Sequence, residues 1–453
     1  MHFLLTLAVV AALVIADSAP PGPAAGVAGR LVAAAAGMLA VPLVAALLSI
    51  GTARQMRRHP ACREALLRQF NRLRRLHAAV WLTTALAVLC GTDWPQIVRF
   101  NWGLEGTFLL DELLILAPVL LPLVLSWAAF YEVEREDRAD LSRGTYVAVH
   151  ARHYLGILLV PVFALLAVQD AMRLWWPSLE EGGRAVAVSA GAILLLVLFF
   201  PVVLRYVWQT RPLAPGPLRD RLERAARRAK LRVREILVWD TGGLVINAAV
   251  AGVVPGLRYV FLTDGLLQHL REDEIQAVFG HEIGHIRHGH LFLRSSALLA
   301  PLSLWLLAQQ AMPELGERLG AWLASGGVFL QAHAALLGLA GMFLYLLAIF
   351  GPFCRLLEGQ ADLYGCRTLA AEPAVQPVQT FVSALENLAL WSGTDRRAGN
   401  WQHGSIARRV DFLKRLAEQP SGELVFLWRL RLLKGLVLAV ILSPVVYQVL
   451  LSG

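Results

Sequence analysis

Eight stretches of the chain stay apolar for about as long as a membrane crossing requires: 29–50, 77–92, 111–131, 154–170, 185–206, 291–312, 326–351 and 434–451. A hydrocarbon core of ~30 Å takes roughly 17–25 helical residues, so the pattern predicts a polytopic helical bundle. A shorter apolar run at 3–16 precedes a stretch rich in Pro, Gly and Ala at 19–25, and reads as either a ninth, short span or the core of a signal peptide. Both readings leave residues 17–28 outside. Between 207 and 290 the pattern becomes polar and mixed. Residues 217–231 have helical spacing, and strand-like runs follow at 232–240, 244–251 and 258–263, broken by Thr241-Gly242-Gly243 and Val254-Pro255-Gly256. A helix is expected over 272–290, opening on Glu272, Asp273 and Glu274, whose charges suit the positive end of a helix dipole.

The expected fold is therefore a mainly α membrane protein of about eight or nine transmembrane helices, with an α+β domain built around a small sheet. Its divisions are an amino-terminal bundle at 1–206, a first part of the soluble domain at 207–290, a membrane hairpin at 291–352, a second, mostly helical part at 353–427, and a last span at 428–453.

Composition agrees with the membrane: 57% of residues are apolar and 17% charged. A net charge of +9 invites a nucleic-acid partner, but the charge is concentrated in two segments. One holds Arg54, Arg57, Arg58, Arg63, Arg68, Arg72, Arg74 and Arg75; the other runs from Arg205 through Arg234. The loops at 93–107, 171–184 and 313–320 carry one or two Arg each, beside Trp94, Trp102, Trp175 and Trp176. That is a positive-inside distribution with interfacial aromatics, so the partner it implies is the lipid bilayer, with no nucleic acid, and the domain after Arg205 is expected in the cytoplasm. Cys62, Cys90, Cys354 and Cys366 show no metal-ligand spacing and read as free thiols.

The candidate chemistry lies on the 272–290 helix, in His281-Glu282-Ile283-Gly284-His285. Four residues are a little more than one turn, so both imidazoles project from one face and can share a tetrahedral zinc, with Glu282 in reach of a water at the site as general base. A third ligand is needed. Glu358, in Glu358-Gly359-Gln360-Ala361-Asp362, is the best candidate because the hairpin returns it to the side that holds His281. Asp362, one turn on, is placed to accept an imidazole N–H. His288 and His290, seven and nine residues beyond His281, read as neighbours of the site or interfacial residues, not as ligands. Asp111 and Glu112 read as the outer end of a span, and His333 as an intramembrane pathway candidate.

These elements resemble the integral-membrane zinc endopeptidases that include the heat-shock protease HtpX and the CAAX prenyl proteases. The resemblance covers about residues 215–415. It rests on Asn247-Ala248 with Gly252, on Arg258 followed by Thr263-Asp264-Gly265-Leu266-Leu267, on the two motifs above, and on the segment from His403 to Arg409. It implies one zinc per chain on His281, His285 and Glu358, with Glu282 as base and proton shuttle and Asp362 supporting a ligand. It further implies His403 as a transition-state or oxyanion contact, Arg409 as a positioning residue of the substrate-binding set, and the strand at Asn247 and Ala248 as a partner for substrate backbone. Gly404 stands where the family usually has proline, Ala249 where it often has an aromatic, and the extra spans exceed the small HtpX type.

The function expected is zinc-dependent endopeptidase activity on membrane-associated or unfolded polypeptides, in quality control or processing, at the cytoplasmic face of a bacterial inner membrane. Two other classes compete. An intramembrane site-2-type protease would bury the motif in a span, whereas Arg271 to Glu274 and Arg287 to His290 bracket it with polar groups; a sensor-type protease shares a similar zinc helix. A non-catalytic zinc scaffold would have no use for Glu282.

Overall fold

The computed structural model describes residues 2–136, 141–180, 182–326, 337–338, 340–370, 375–393, 395–399 and 403–452. The chain divides into two compact units, Met1–Gln209 and Thr210–Gly453. Among the described residues, eight helices are long and apolar enough to cross a membrane: Val27–Arg58, Pro60–Gly91, Ala117–Glu134, Arg143–Trp175, Gly183–Val207, His290–Ala311, Ala340–Leu369 and Ser421–Leu451. The mainly helical membrane architecture with a small sheet is thus as expected. His333, and residues 327–336 of the expected hairpin, lie outside the described residues.

In the first unit, Val27–Arg58 packs on the helices Arg63–Gly91 and Ala117–Glu134. The short apolar helix His2–Asp17 buries Leu5, Ala8, Ala12 and Ala16 in the same bundle. The expected span at 111–131 is divided. A short helix, Leu110–Ile115, precedes the span-length helix, which starts at Ala117 with Pro118 in its first turn, where a missing N–H does least harm. Asp111 and Glu112 fall on the short piece, and the Asp111 carboxylate accepts from Arg99 Nε at 3.1 Å. The four cysteines are free.

The second unit contains a four-stranded sheet of order β1-β2-β4-β3, with β1 Thr210–Pro212, β2 Glu235–Trp239, β3 Ala248–Ala251 and β4 Tyr259–Thr263. Strands β2 and β4 run parallel, while β1 and β3 run antiparallel to their neighbours. Strand β4 is buried throughout, which matches its unbroken apolar run Tyr259-Val260-Phe261-Leu262. Strand β1 has no sequence signal: three residues ending in proline carry no periodicity, and pairing with β2 alone makes them a strand. The chain reaches β3 through a loop that Asp264 organises, its carboxylate accepting from the amides of Thr241 and Gly243 at 3.0 and 2.9 Å. Strand β3 ends the sheet, so one of its edges is open among the described residues.

Two helices cross beside β3. The first, Glu272–Arg287, is held at its start by Glu274, a fully buried carboxylate that accepts from Ser383 Oγ at 2.6 Å, Asn387 Nδ2 at 2.9 Å and the backbone N–H of Arg271. The second, Gly351–Leu369, contacts it through small residues. A Cβ on Gly284 would lie 3.1 Å from Ala361 Cα and 3.0 Å from Tyr364 Cβ, and one on Gly280 would lie 3.1 Å from Gly365 Cα. The glycines therefore set how near the two backbones come. The expected helix at 272–290 ends early, at Arg287, because Gly289 takes the left-handed conformation (φ +63°) and a new helix starts at His290. That helix, His290–Ala311, packs along Ser421–Ser452, with Ser303 Oγ donating to Val440 O at 3.0 Å. Leu293, Ala297, Phe350, Phe353, Leu357 and Leu430 form the apolar cluster shared by these spans.

Candidate metal centre

The close crossing of the two helices brings three ligand groups together. His281 and His285, one turn apart, turn their Nε2 atoms toward each other at 3.1 Å. The Glu358 carboxylate closes the triangle, with Oε2 3.6 Å from His281 Nε2 and Oε1 3.5 Å from His285 Nε2. In a tetrahedral zinc site with bonds of about 2.0–2.1 Å, two ligand atoms lie about 3.3–3.4 Å apart. The three edges bracket that distance, and two neutral nitrogens with one carboxylate are a donor set of the kind found in catalytic zinc sites. The residues present fit a metal.

The His281 imidazole is oriented from behind. His281 Nδ1 lies 2.7 Å from Asp362 Oδ1, so Nδ1 carries the hydrogen and Nε2 is left bare. Asp362 is fully buried and is itself held by Arg409, which donates from Nε to Oδ2 at 2.9 Å and from a terminal nitrogen to Oδ1 at 2.5 Å. Arg409, expected as a positioning residue and grouped with the substrate-binding set, is engaged as a two-point brace on Asp362, a geometry that a planar arginine fork suits. On His281, burial opposes the charged form, but the hydrogen bond and charge of Asp362 outweigh it and raise the pKa. His285 has no carboxylate behind it; burial and the neighbouring His281 push its pKa down.

Glu282, half-buried on the same helix, faces this cluster. Burial pushes its carboxyl above the ordinary range; nearby His281 and the backbone amide of Val250 in β3 oppose the rise, and Glu358 adds to it. A carboxylate raised in this way sits closer to the range where it can both take and return a proton. His403 lies at the same place: its Nδ1 is 3.0 Å from Glu358 Oε1, in an exposed turn where Gly404 has φ +72°.

Asn247 and Ala248 lead into β3. The Asn247 backbone pairs with Thr263, its N–H donating to Thr263 Oγ1 at 3.0 Å and its carbonyl accepting from the Thr263 amide at 3.1 Å. Its side chain folds back to the Ala248 amide at 2.9 Å. Alternation along the strand then turns the peptide groups of Ala248 and Val250 to the open edge, the side on which Glu282 lies. Arg294, which donates to Glu358 Oε1 from the helix His290–Ala311, had no sequence signal as a participant; His290, expected as a neighbour of the site or an interfacial residue, lies with its Nδ1 2.8 Å from His285 Nδ1. Gly289 was the one visible clue to the latter, since a glycine after an amphipathic run is a helix-stop signal.

Comparison with known proteins places this geometry in context. A family model described as peptidase family M48 matches residues 212–417. A protease HtpX homolog from Aeropyrum pernix is 30% identical over 234 residues, 49% of this chain and 68% of the relative. One from Thermoplasma acidophilum is 28% identical over 248 residues, 50% of this chain and 74% of the relative. The crystal structure of Ste24p from S. mikatae aligns with a TM-score of 0.50 at 16% identity, covering 87% of this chain and all of that one, which is a likeness of fold.

Proposed function

This chain belongs to peptidase family M48 and is an integral-membrane protease, and from that premise we propose that it is a zinc-dependent endopeptidase acting on membrane-associated or unfolded polypeptides. One observation carries the reading: the triangle of His281 Nε2, His285 Nε2 and the Glu358 carboxylate, with Glu282 beside it and an open strand edge alongside.

One zinc ion would be held by His281, His285 and Glu358; when bound it supplies Lewis-acid polarisation of the scissile carbonyl and makes water a stronger acid. Glu282 takes the proton of the attacking water as the new C–O bond forms, then delivers it to the amide nitrogen as the C–N bond breaks. His403, at the rim beside Glu358, donates a hydrogen bond to the oxygen on which charge develops. Asp362, backed by Arg409, keeps His281 in the tautomer that offers Nε2. The open edge of β3, entered through Asn247 and Ala248, pairs with substrate backbone, a mode that reads extended chains with little dependence on side chains. That favours unfolded segments over folded domains.

In this reading residues 1–206 form an amino-terminal transmembrane bundle, 207–290 and 353–427 are the two parts of the catalytic domain, and 291–352 and 428–453 tie it to the membrane. The arginine-dense segment ending at Arg234 leads directly into the sheet, which supports a site on the cytoplasmic face of a bacterial inner membrane and a role in quality control or processing. The test is incubation of detergent-purified protein with casein, with and without chelator, followed by mass spectrometry of the fragments. Chelator-sensitive internal cleavage is expected. Intact casein, together with intact membrane proteins co-purified on a Glu282→Gln variant, would contradict it.

A further inference from the structure

His281 is oriented by a carboxylate, but its partner ligand is oriented by a different device. His290 follows His285 at an offset of five, and in an unbroken helix the two would point about 140° apart around the axis. The left-handed turn at Gly289 breaks the helix and returns His290 to the metal side, where its Nδ1 lies 2.8 Å from His285 Nδ1.

With an ion on His285 Nε2, the hydrogen positions along this contact follow from which atoms can donate. His285 turns Nε2 toward His281 and Glu358, so Nε2 must be bare to serve as a ligand, and Nδ1 carries the hydrogen. His285 Nδ1–H then donates to His290 Nδ1, which must be bare in turn. The remaining hydrogen of His290 is on Nε2, and Nε2 lies 3.0 Å from Gln360 Oε1, an acceptor. The orientation of that amide is fixed independently: Lys434 Nζ, which can only donate, lies 2.6 Å from the same oxygen. Every donor along the line meets an acceptor.

We propose that His290 is a positioning residue of the metal centre, accepting the Nδ1 hydrogen of His285 and so fixing the tautomer and tilt in which His285 offers Nε2 to the ion, with Gln360 and Lys434 fixing His290 in turn. Gln360 lies between Glu358 and Asp362 on one ligand helix, and Lys434 lies on the last span, Ser421–Ser452. The last span is thereby joined to a metal ligand through three hydrogen bonds. This inference rests on the metal reading given above.

The experiment is zinc affinity of the full-length protein in detergent, measured by competition with a fluorescent chelator, for wild type, His290→Phe, His290→Asn and Gln360→Leu. Asparagine places an oxygen near the position of Nδ1 and can accept the same hydrogen; phenylalanine keeps the ring and cannot. His290→Phe should bind zinc about 10–100-fold more weakly, the usual effect of losing a partner of a ligand histidine, while His290→Asn should stay within about 3-fold of wild type. Gln360→Leu should weaken binding by at least about 3-fold, and it decides the matter alone if His290→Phe does not fold. Unchanged affinity in His290→Phe or in Gln360→Leu would overturn the proposal, as would equal losses in the Phe and Asn variants, which would mean that the ring only packs. Failure of wild type itself to bind zinc would overturn the metal reading instead, so the two failures are distinguishable.

Discussion

Replacing Gly284 by alanine adds one methyl group at the point where the two ligand helices cross, and its effects can be worked through from the contacts. The new Cβ would lie 3.1 Å from Ala361 Cα and 3.3 Å from Ala361 O, backbone atoms that no rotamer change can move. Reaching ordinary van der Waals contact requires the helices to part by about 0.3–0.9 Å. Two terms then compete in stability: alanine gains about 0.5–1 kcal/mol over glycine inside a helix, and overpacking costs about 1–3 kcal/mol. The metal-free protein should thus melt at the same temperature or somewhat lower. Metal binding is far less tolerant. Gly284 adjoins His285, and Ala361 lies one turn from Glu358, so the same opening widens the edges now at 3.5 and 3.6 Å, whereas ligand distances tolerate about ±0.2 Å. Zinc affinity should fall by at least about 10-fold, an effect well outside the change in stability. The control is Gly320→Ala, helical with open space at its Cβ, which should leave affinity unchanged. Chelator competition on purified variants measures both. Wild-type affinity in Gly284→Ala would refute the argument that the glycine crossing sets the ligand geometry.

Two further outcomes follow from the same geometry. Asp362→Asn keeps an oxygen for His281 Nδ1–H but sets an N–H₂ against the Arg409 donors, so zinc affinity should drop about 10–100-fold; an unaltered dissociation constant would remove Asp362 from the account. Val250→Pro deletes the N–H that the open edge of β3 turns toward Glu282 without touching the ladder to β4, and should lower kcat/KM for an unfolded substrate by at least about 3–10-fold and move the acid limb of its pH profile upward, at unchanged zinc content. Full activity with an unmoved pH profile would mean that neither substrate nor Glu282 depends on that N–H.

The parts of the centre that were legible in sequence are those set by one element's own periodicity. His281 and His285 share a face because four residues nearly complete a turn, and Glu358 and Asp362 follow the same rule on the second helix. What was not legible depends on chain breaks and on contacts between elements. Periodicity alone places residue 290 at the end of a helix; it begins one, because Gly289 turns left-handed, and the break brings His290 to His285. Arg294 reaches Glu358 and Lys434 reaches Gln360 across helix boundaries, which no spacing rule anticipates. Strand β1 exists through its pairing with β2, and Arg409 turned toward Asp362 because a buried carboxylate needs a charged partner, a demand visible only once Asp362 is known to be buried.

The most direct test of a hydrolase centre on His281, His285 and Glu358 is paired measurement of zinc content and casein cleavage for wild type, Glu282→Gln and Glu358→Gln purified side by side. The geometry predicts one zinc and chelator-sensitive cleavage in wild type, one zinc with cleavage reduced by at least about 100-fold in Glu282→Gln, and loss of both ion and cleavage in Glu358→Gln. Cleavage by Glu282→Gln at the wild-type rate, or full zinc in Glu358→Gln, would contradict the account.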